Sequence, residues 1–354
     1  MTELRERIRS AWQGRISGCQ LGKPVELLSM TKGHEGLTEY LASAGSLPLR
    51  DYVPALPDSL PSKLAPGSCR GAMVRSEPDD DINYTVLALI LLEENGLALE
   101  TEHVARAWLR YLPAGAVFTA ERAAYTTLLN RAPMHFAMGG APGFDLTECA
   151  DNEFNEWIGA QIRADLYGWV CPGRPELAAR LARADAALSH RGDGIYGAQF
   201  VAALGAAVPV ATSLPAAVET ALAQLPPDSG AAAAVALGRA EAGNPKGGER
   251  IRAHYRDLSP VHTLNNLALV VWALLGQDEF GAATGEVVAA GLDTDCNGAT
   301  VGGLWGLRGE PVPRAWTDPW QGRGAVSLAG QSDLERESLV DRTVAVAERI
   351  EREA

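Results

Sequence analysis

Two short acidic clusters, Asp79–Asp81 and Asp293–Asp295, lie near opposite ends of the 354-residue chain, each at the start of an apolar run of helical character. Carboxylates repel one another, so a site that gathers five of them requires a cation. Carboxylate, hydroxyl and water oxygens are the ligands that Mg²⁺, Mn²⁺ and Ca²⁺ prefer. The sequence therefore predicts one divalent metal site built from both clusters. The predicted ligands are Asp79, Asp80, Asp81, Asp293 and Asp295.

Either cluster alone has a simpler explanation. Aspartate at a helix N-terminus accepts hydrogen bonds from exposed N–H groups and lies at the positive end of the helix dipole. Capping would account for one such cluster without any ion. The presence of two clusters favours the metal.

The overall charge excludes one class of partner. The formal net charge is −13 and the pI is near 5.0. A surface that binds nucleic-acid phosphates needs clustered Lys and Arg, and no basic stripe is present. We therefore expect no nucleic-acid partner.

Cysteine usage and hydropathy favour a soluble cytoplasmic protein. The five cysteines are odd in number and widely spaced, which predicts reduced thiols and neither a disulfide framework nor a zinc site. The N-terminal residues are charged and contain no apolar signal core. The longest uncharged stretch, 194–218, is interrupted by prolines, so no membrane span is expected.

Helical periodicity dominates the chain and strand signals are scarce, which predicts an all-α, compact, single-domain helical bundle over residues 1–354. Five prolines make residues 37–75 an irregular excursion, a candidate lid. The small residues of the helix after Asp295 indicate close approach of another helix or a ligand. Helices are predicted at 4–18, 82–95, 101–112, 116–131, 156–168, 175–189, 197–207, 214–225, 229–242, 265–275, 279–290, 297–307 and 335–352.

Four segments together carry a family resemblance. They are Gly18–Glu26, Pro78–Tyr84, Ser189–Gly194 and Gly291–Ala299. In this order and spacing they resemble the ADP-ribosylglycohydrolase family, the relatives of dinitrogenase reductase-activating glycohydrolase. The resemblance extends from about residue 8 to about residue 309. It implies an all-α fold around one or two ions, usually Mg²⁺ or Mn²⁺, and hydrolysis of a glycosidic bond at C1 of a ribose.

The chain departs from the family pattern at four positions, one of which is Ile82 in place of the last Thr of the second motif. Cys19 stands where the first motif usually has Asp, and Asp79 replaces a Thr of the second motif. Cys296 replaces a Thr whose hydroxyl ligates metal in the family, and a thiol is a poor partner for a hard cation. These differences indicate a divergent branch in which one of two metal positions is weakened or lost.

The resemblance also implies roles for individual residues. Glu26 and Asp80 are the predicted catalytic groups, with the Glu26 carboxylate giving or taking a proton. The predicted substrate contacts are His190, Gly192, Cys296 and Asn297. From the residues alone, Glu26 is equally well a solvated loop glutamate and His190 a core or surface group. Asn155, Arg163 and Asp165 are open to two interpretations, cleft residues or helix-packing polar groups.

The leading hypothesis is a metal-dependent hydrolase of an ADP-ribosyl conjugate, either a protein or a small molecule. Two alternatives remain open at this point. One is a hydrolase of a small nucleoside, nucleotide or sugar conjugate, which the departures at Cys296 and Asp79 keep open. The other is a catalytically inactive ADP-ribose-binding or crystallin-like protein, which the retention of four repelling aspartates disfavours.

Overall fold

Amphipathic and fully apolar helical segments account for almost all regular structure in the computed structural model, which describes residues 2–354. The α-helices are α1 (Thr2–Gly22), α2 (Glu26–Ser43), α3 (Leu60–Leu64), α4 (Asp80–Asn95), α5 (Thr101–Tyr111), α6 (Thr119–Arg131), α7 (Asp165–Trp169), α8 (Pro175–Ala186), α9 (Gly192–Ala207), α10 (Leu214–Leu222), α11 (Gly230–Glu241), α12 (Gly247–His254), α13 (Thr263–Gly276), α14 (Phe280–Ala289), α15 (Thr294–Gly306), α16 (Arg314–Thr317) and α17 (Arg336–Glu353).

Short elements complete the chain. Two three-residue strands, β1 (Arg323–Ala325) and β2 (Asp333–Glu335), pair antiparallel with Gly324 opposite Leu334. They form the one sheet found between residues 2 and 354. The prediction of an all-α fold is therefore confirmed. The 3₁₀ helices are Lys23–Val25, Pro66–Ser68, Gly96–Ala98, Ala114–Ala116, Phe136–Met138, Leu146–Ala150 and Ile158–Arg163.

The chain divides into two compact units. Unit 1 comprises the residues up to Ile82 together with Gly230–Ala325 and Asp333–Val340, and unit 2 comprises Asn83–Ser229, Val326–Ser332 and Asp341–Ala354. Each unit contains its own buried apolar side chains. The single domain expected from the sequence stays a prediction.

Glycines set the central packing of unit 1, where α1 and α15 run antiparallel at very short range. A Cβ built on Gly18 would lie 1.9 Å from the carbonyl oxygen of Gly298, and one on Gly14 would lie 2.0 Å from that of Gly302. Such distances leave no space for a side chain, so glycine is required at these contacts. The predicted close approach in the helix after Asp295 is confirmed as helix–helix packing.

The rest of unit 1 packs around this pair. Helix α14 lies against α15, and α13 lies against α11 and α15. Every residue of α13 from Asn265 to Leu274 is buried, which explains its almost continuous apolar sequence. The aromatic rings of Tyr52 and Trp316 meet edge to face with their centroids 5.2 Å apart.

Unit 2 is organised around α9, which is buried on most of its surface and packs against α7, α8 and α10. Gly168 of α7 approaches the backbone of α9, since a Cβ there would lie 2.5 Å from the carbonyl oxygen of Ala202. Small residues thus allow close helix contact in this unit as well.

Several segments differ from the sequence prediction, among them residues 26–36 of α2 and helix α16, which were not predicted as helices. Residues 37–43 belong to α2 and are not irregular, because the prolines of the excursion begin only at Pro48. The excursion 37–75 also contains α3. The segment 156–168 is not one helix: it forms the buried 3₁₀ helix Ile158–Arg163 before α7 begins. Helix α12, which is short and polar, was not predicted.

Two further expectations concern the whole described chain. All five cysteines are free and buried, which agrees with the prediction of reduced thiols. Among the helices of residues 2–354, none is both long enough and apolar enough to cross a bilayer.

Candidate metal centre

The close packing of α1 on α15 places the end of one helix beside the start of the other. A Cβ on Gly22 would lie 2.3 Å from the carbonyl carbon of Thr294. The Thr294 hydroxyl donates a hydrogen bond to the Gly22 carbonyl at 2.9 Å. Helix α2 begins four residues later, at Glu26. This arrangement brings the first motif of the sequence to the second acidic cluster.

Three carboxyl groups converge there. Glu26, Asp293 and Asp295 each offer an oxygen atom, and these atoms lie within 4.8 Å of one another. Asp293 and Asp295 are buried, whereas Glu26 is partly exposed. Asp293 Oδ1 and Asp295 Oδ1 are buried and have no hydrogen-bond partner among the described residues. A buried carboxyl oxygen of this kind needs either a cation or a proton.

The backbone around this Glu26–Asp293–Asp295 trio is held by neighbouring polar groups. Leu292 adopts a left-handed conformation (φ 63°), which is uncommon for a non-glycine residue and costs of order 1–3 kcal/mol. Ser29 donates a hydrogen bond to the Leu292 carbonyl at 2.9 Å. Asn266 Oδ1 accepts from the Asp293 N–H at 3.3 Å and from Asn297 Nδ2 at 2.7 Å.

Electrostatics within the trio favour protonated carboxyls in the absence of a cation. Burial raises the pKa of Glu26 well above its usual range, and the nearby carboxylates of Asp295 and Asp293 raise it further. The pKa of Asp293 is raised well above its ordinary value by burial and then by Asp295. Burial, followed by the charge of Asp79, also raises the pKa of Asp295.

Asp79, in the first cluster, has partners for both carboxylate oxygens. Its Oδ1 accepts a hydrogen bond from the Asp81 N–H at 3.0 Å, as a helix-capping aspartate does. Its Oδ2 lies 2.6 Å from Lys23 Nζ. Burial raises the pKa of Asp79, but the charge and hydrogen bond of Lys23 outweigh it and lower the pKa overall.

Asp81 is paired with a second buried cation. One guanidinium nitrogen of Arg15 lies 3.1 Å from Asp81 Oδ1 and 2.9 Å from the Asp81 carbonyl oxygen. Both side chains are fully buried. Burial raises the pKa of Asp81 well above its usual value despite the opposing charge of Arg15. Asp80 is partly exposed, and its negative charge also raises the pKa of Asp81 and Asp293.

Two thiols complete the acidic region. Cys19 lies with Asp79 and Asp81, and Cys296 with Asp81 and Asp295, in trios whose ligand atoms are again within 4.8 Å. Burial raises the pKa of both thiols well above its usual value, and nearby carboxylates raise it further. The thiols are therefore neutral in the absence of a cation and offer only weak donors to a hard ion.

The donor set fits a hard divalent cation at one place in particular. The Glu26–Asp293–Asp295 trio offers oxygen atoms alone, and two of its buried oxygens have no partner in residues 2–354. Oxygen-only sets suit Mg²⁺ or Mn²⁺. The two acidic clusters, which the sequence predicts to meet, lie within one unit.

The four predicted substrate contacts do not lie in one unit. Asn297 is buried beside Asp293, and Cys296 is buried in its thiol-containing trio. His190 and Gly192 belong to unit 2. Gly192 is exposed at the start of α9, with a positive φ of 46° and the Glu156 carboxylate next to it.

His190 is fully buried in an ionic network of unit 2. Its Nδ1 lies 2.8 Å from the Ser189 hydroxyl, and its Nε2 lies 3.8 Å from Glu121 Oε1. Arg163 donates to Glu121, Asp185 and Ser189 at 2.5, 2.8 and 2.8 Å. Burial, followed by the charge of Arg163, lowers the pKa of His190 well below its usual value. The imidazole is therefore neutral, and Arg163 is a packing group of the unit's core.

The sequence prediction missed Arg15, Lys23 and Asn266. Arg15 had a detectable signal, because it lies on the same helical face as Ile8, Trp12 and Cys19, where an apolar residue would be expected. A charged residue in such a position is buried only if it is paired. Lys23 stands within the first motif but has no spacing signal that connects it with Asp79.

Comparison with known proteins agrees with this fold. A family model described as ADP-ribosylglycohydrolase matches residues 1–352. A solved structure entitled "ADP-ribosylglycohydrolase-related protein complex" superposes with a TM-score of 0.64 and 18% sequence identity, covering 99% of this chain and 100% of that one. At this identity the likeness concerns the fold. No curated protein sequence matches the chain.

Proposed function

The chain belongs to the ADP-ribosylglycohydrolase family, and from this premise we propose that it is a metal-dependent hydrolase that cleaves the glycosidic bond at C1 of a ribose in an ADP-ribosyl conjugate. The observation that carries the proposal is the Glu26–Asp293–Asp295 trio, whose buried aspartates each keep one oxygen without a partner in the described chain. A glycohydrolase of this kind needs a cation site and a proton-exchanging carboxyl, and the trio offers both.

The different burial of the three residues indicates which of them hold the ion and which exchanges a proton. Asp293 and Asp295 are enclosed, so they are suited to hold the ion. When bound, a Mg²⁺ or Mn²⁺ ion would supply Lewis acidity and fix the ribose hydroxyls near C1. Glu26 is partly exposed and therefore the member best placed to exchange a proton with a substrate.

The proton chemistry of Glu26 suits bond cleavage at an anomeric carbon. With the ion held by Asp293 and Asp295, Glu26 is the carboxyl left to carry a proton, and burial raises its pKa above that of an ordinary Glu. A protonated carboxyl can donate to the leaving group, and the resulting carboxylate can then accept a proton from the attacking water. We propose Asp80 as a second, partly exposed carboxylate that orients the substrate or its water.

Product analysis tests the proposal. Purified protein is incubated with ADP-ribosyl-arginine, ADP-ribosyl-serine or O-acetyl-ADP-ribose, in the presence of Mg²⁺, Mn²⁺ or EDTA, and released ADP-ribose is measured by chromatography. We expect release that EDTA abolishes and that Glu26→Gln reduces by roughly 100-fold or more, the scale of a positioned acid–base group.

A nucleoside and sugar-conjugate panel in the same assay addresses the alternative substrates. Turnover of a nucleoside with no turnover of ADP-ribosyl compounds would replace the substrate class and keep the reaction type. Binding of ADP-ribose without any product from either panel would contradict a catalytic function.

A further inference from the structure

The acidic region contains two cations of its own. Lys23 Nζ lies 2.6 Å from Asp79 Oδ2, and the Arg15 guanidinium lies 3.1 Å from Asp81 Oδ1. Both cations form their ion pairs with the first acidic cluster, and the charge of Lys23 also lowers the pKa of Asp295 in the second. The two clusters are therefore neutralised in different ways.

Resting on the proposed function, we propose that the Lys23 ammonium takes the place of a second metal ion, so that the protein holds one divalent cation, at the Glu26–Asp293–Asp295 trio. The first observation is that Asp79 already has protein partners. Its Oδ1 accepts the Asp81 N–H and its Oδ2 is paired with Lys23, so both of its oxygens have protein partners. An ion that bound Asp79 would have to displace the ammonium.

The second observation concerns charge and donor type. A divalent ion in the Cys19–Asp79–Asp81 trio would lie close to both Lys23 and Arg15 and be repelled by them. That trio also includes a thiol, which a hard cation does not favour. The Glu26–Asp293–Asp295 trio contains oxygen donors alone, and two of its oxygens lack partners within residues 2–354.

The departures from the family pattern agree with this assignment. Cys19 and Cys296 each belong to one of the two thiol-containing trios, and Lys23 forms an ion pair with Asp79 of the Cys19 trio. A thiol in place of an oxygen donor, beside a fixed ammonium, is the arrangement expected if one ion is replaced by a side chain.

The decisive measurement is the number of Mn²⁺ ions bound per chain, obtained by equilibrium dialysis of the full-length protein. We expect one ion for the wild type and for Lys23→Arg, and two for Lys23→Met, because Asp79 Oδ2 then lacks its partner. Lys63→Met, which removes an exposed lysine, is the matched control and should bind one. Two ions in the wild type would overturn the inference and leave the proposed hydrolase intact, whereas none would overturn both.

Absorption spectra with Co²⁺ give an independent readout. A wild-type site built from oxygen atoms should show no thiolate-to-cobalt charge-transfer band, and the appearance of one would overturn the inference. In Lys23→Met the second ion lies beside Cys19, so the band should appear and be lost again in Lys23→Met/Cys19→Ser. If Lys23→Met does not fold, the wild-type ion count and the wild-type spectrum still decide.

Discussion

Arg15 of α1 and Asp81 of α4 form an ion pair in which neither side chain is exposed, with an N···O distance of 3.1 Å and a second hydrogen bond to the Asp81 carbonyl. The pair joins the first helix of the chain to the start of α4, the helix that begins within the first acidic cluster. It therefore fixes the position of that cluster before any ion binds. Removing one member of such a pair leaves the other charge buried without compensation.

We expect Arg15→Met to lower the free energy of unfolding of the metal-free protein by about 3 kcal/mol, the lower end of the cost of breaking a buried pair. The raised pKa of Asp81 places the value at that lower end, because the carboxyl left behind can take up a proton and lose its charge. Urea denaturation followed by circular dichroism measures the change. Arg5→Met, on the same helix but in a partly exposed pair with Glu337, should cost about 1 kcal/mol or less. Equal losses in the two variants would show that burial of the Arg15 pair is unimportant.

The contact of Gly18 with Gly298 gives a second prediction. We expect Gly18→Ala to destabilise unit 1 by about 3 kcal/mol, because its Cβ would lie 1.9 Å from a backbone oxygen that cannot move aside as a side chain can. Separation of the helices would also displace Glu26 from Asp295, so Mn²⁺ affinity should fall with stability. The matched control is Gly115→Ala, whose Cβ would meet no atom within 4 Å. Thermal melts and Mn²⁺ titrations of both variants test this, and unchanged Mn²⁺ affinity in a destabilised Gly18→Ala would contradict the coupling.

The sequence was sufficient to predict the helices that the site depends on, because an apolar run as long as Ile82–Asn95 exceeds the length of an ordinary strand. It also predicted that the two acidic clusters meet, as Asp81 and Asp295 do, but not that Glu26 lies with Asp293 and Asp295. It could not predict that Lys23 would form an ion pair with Asp79, because that contact depends on the 3₁₀ helix Lys23–Val25. The prediction of one helix over 156–168 was wrong because it also depended on tertiary contacts. The buried hydrogen bonds of Arg163, such as the one to Asp185, outweigh the helical preference of the segment.

Asn266 provides a graded test of the metal centre. Its amide oxygen holds the Asp293 backbone and the Asn297 side chain, so it orients the trio without belonging to it. We expect Asn266→Ala to weaken Mn²⁺ binding by roughly 10–100-fold, the usual effect of removing an outer partner. Asp295→Asn should exceed that loss, since it removes a member of the trio.

Isothermal titration with Mn²⁺ separates these effects. Asp58→Asn, at a residue that is almost fully exposed, is the control for removing one aspartate and should leave affinity unchanged. A weaker effect of Asp295→Asn than of Asn266→Ala would place the ion somewhere other than the trio.

The raised pKa values of Glu26, Asp293 and Asp295 predict how pH and metal act together. A carboxyl whose pKa is higher in the folded than in the unfolded state stabilises the fold below its unfolded value, near 4, and this contribution is lost as pH rises through the folded pKa. Asp79 has a lowered pKa, so its contribution to the free energy of unfolding changes only when the pH falls below the ordinary pKa of an aspartate. Between about pH 5 and pH 8 the metal-free protein should therefore become less stable as pH rises.

Mn²⁺ should reverse that trend, because a cation binds the deprotonated carboxylates and releases their protons. We expect the rise in melting temperature caused by Mn²⁺ to grow with pH across the same interval, and titrations in buffers of different ionisation enthalpy to show proton release. In Asp293→Asn the slope of metal-free stability against pH should become shallower and the proton release smaller, since one raised carboxyl is gone. A metal-induced shift that is independent of pH would mean that the ion binds groups already ionised, and would exclude Asp293 and Asp295 as its ligands.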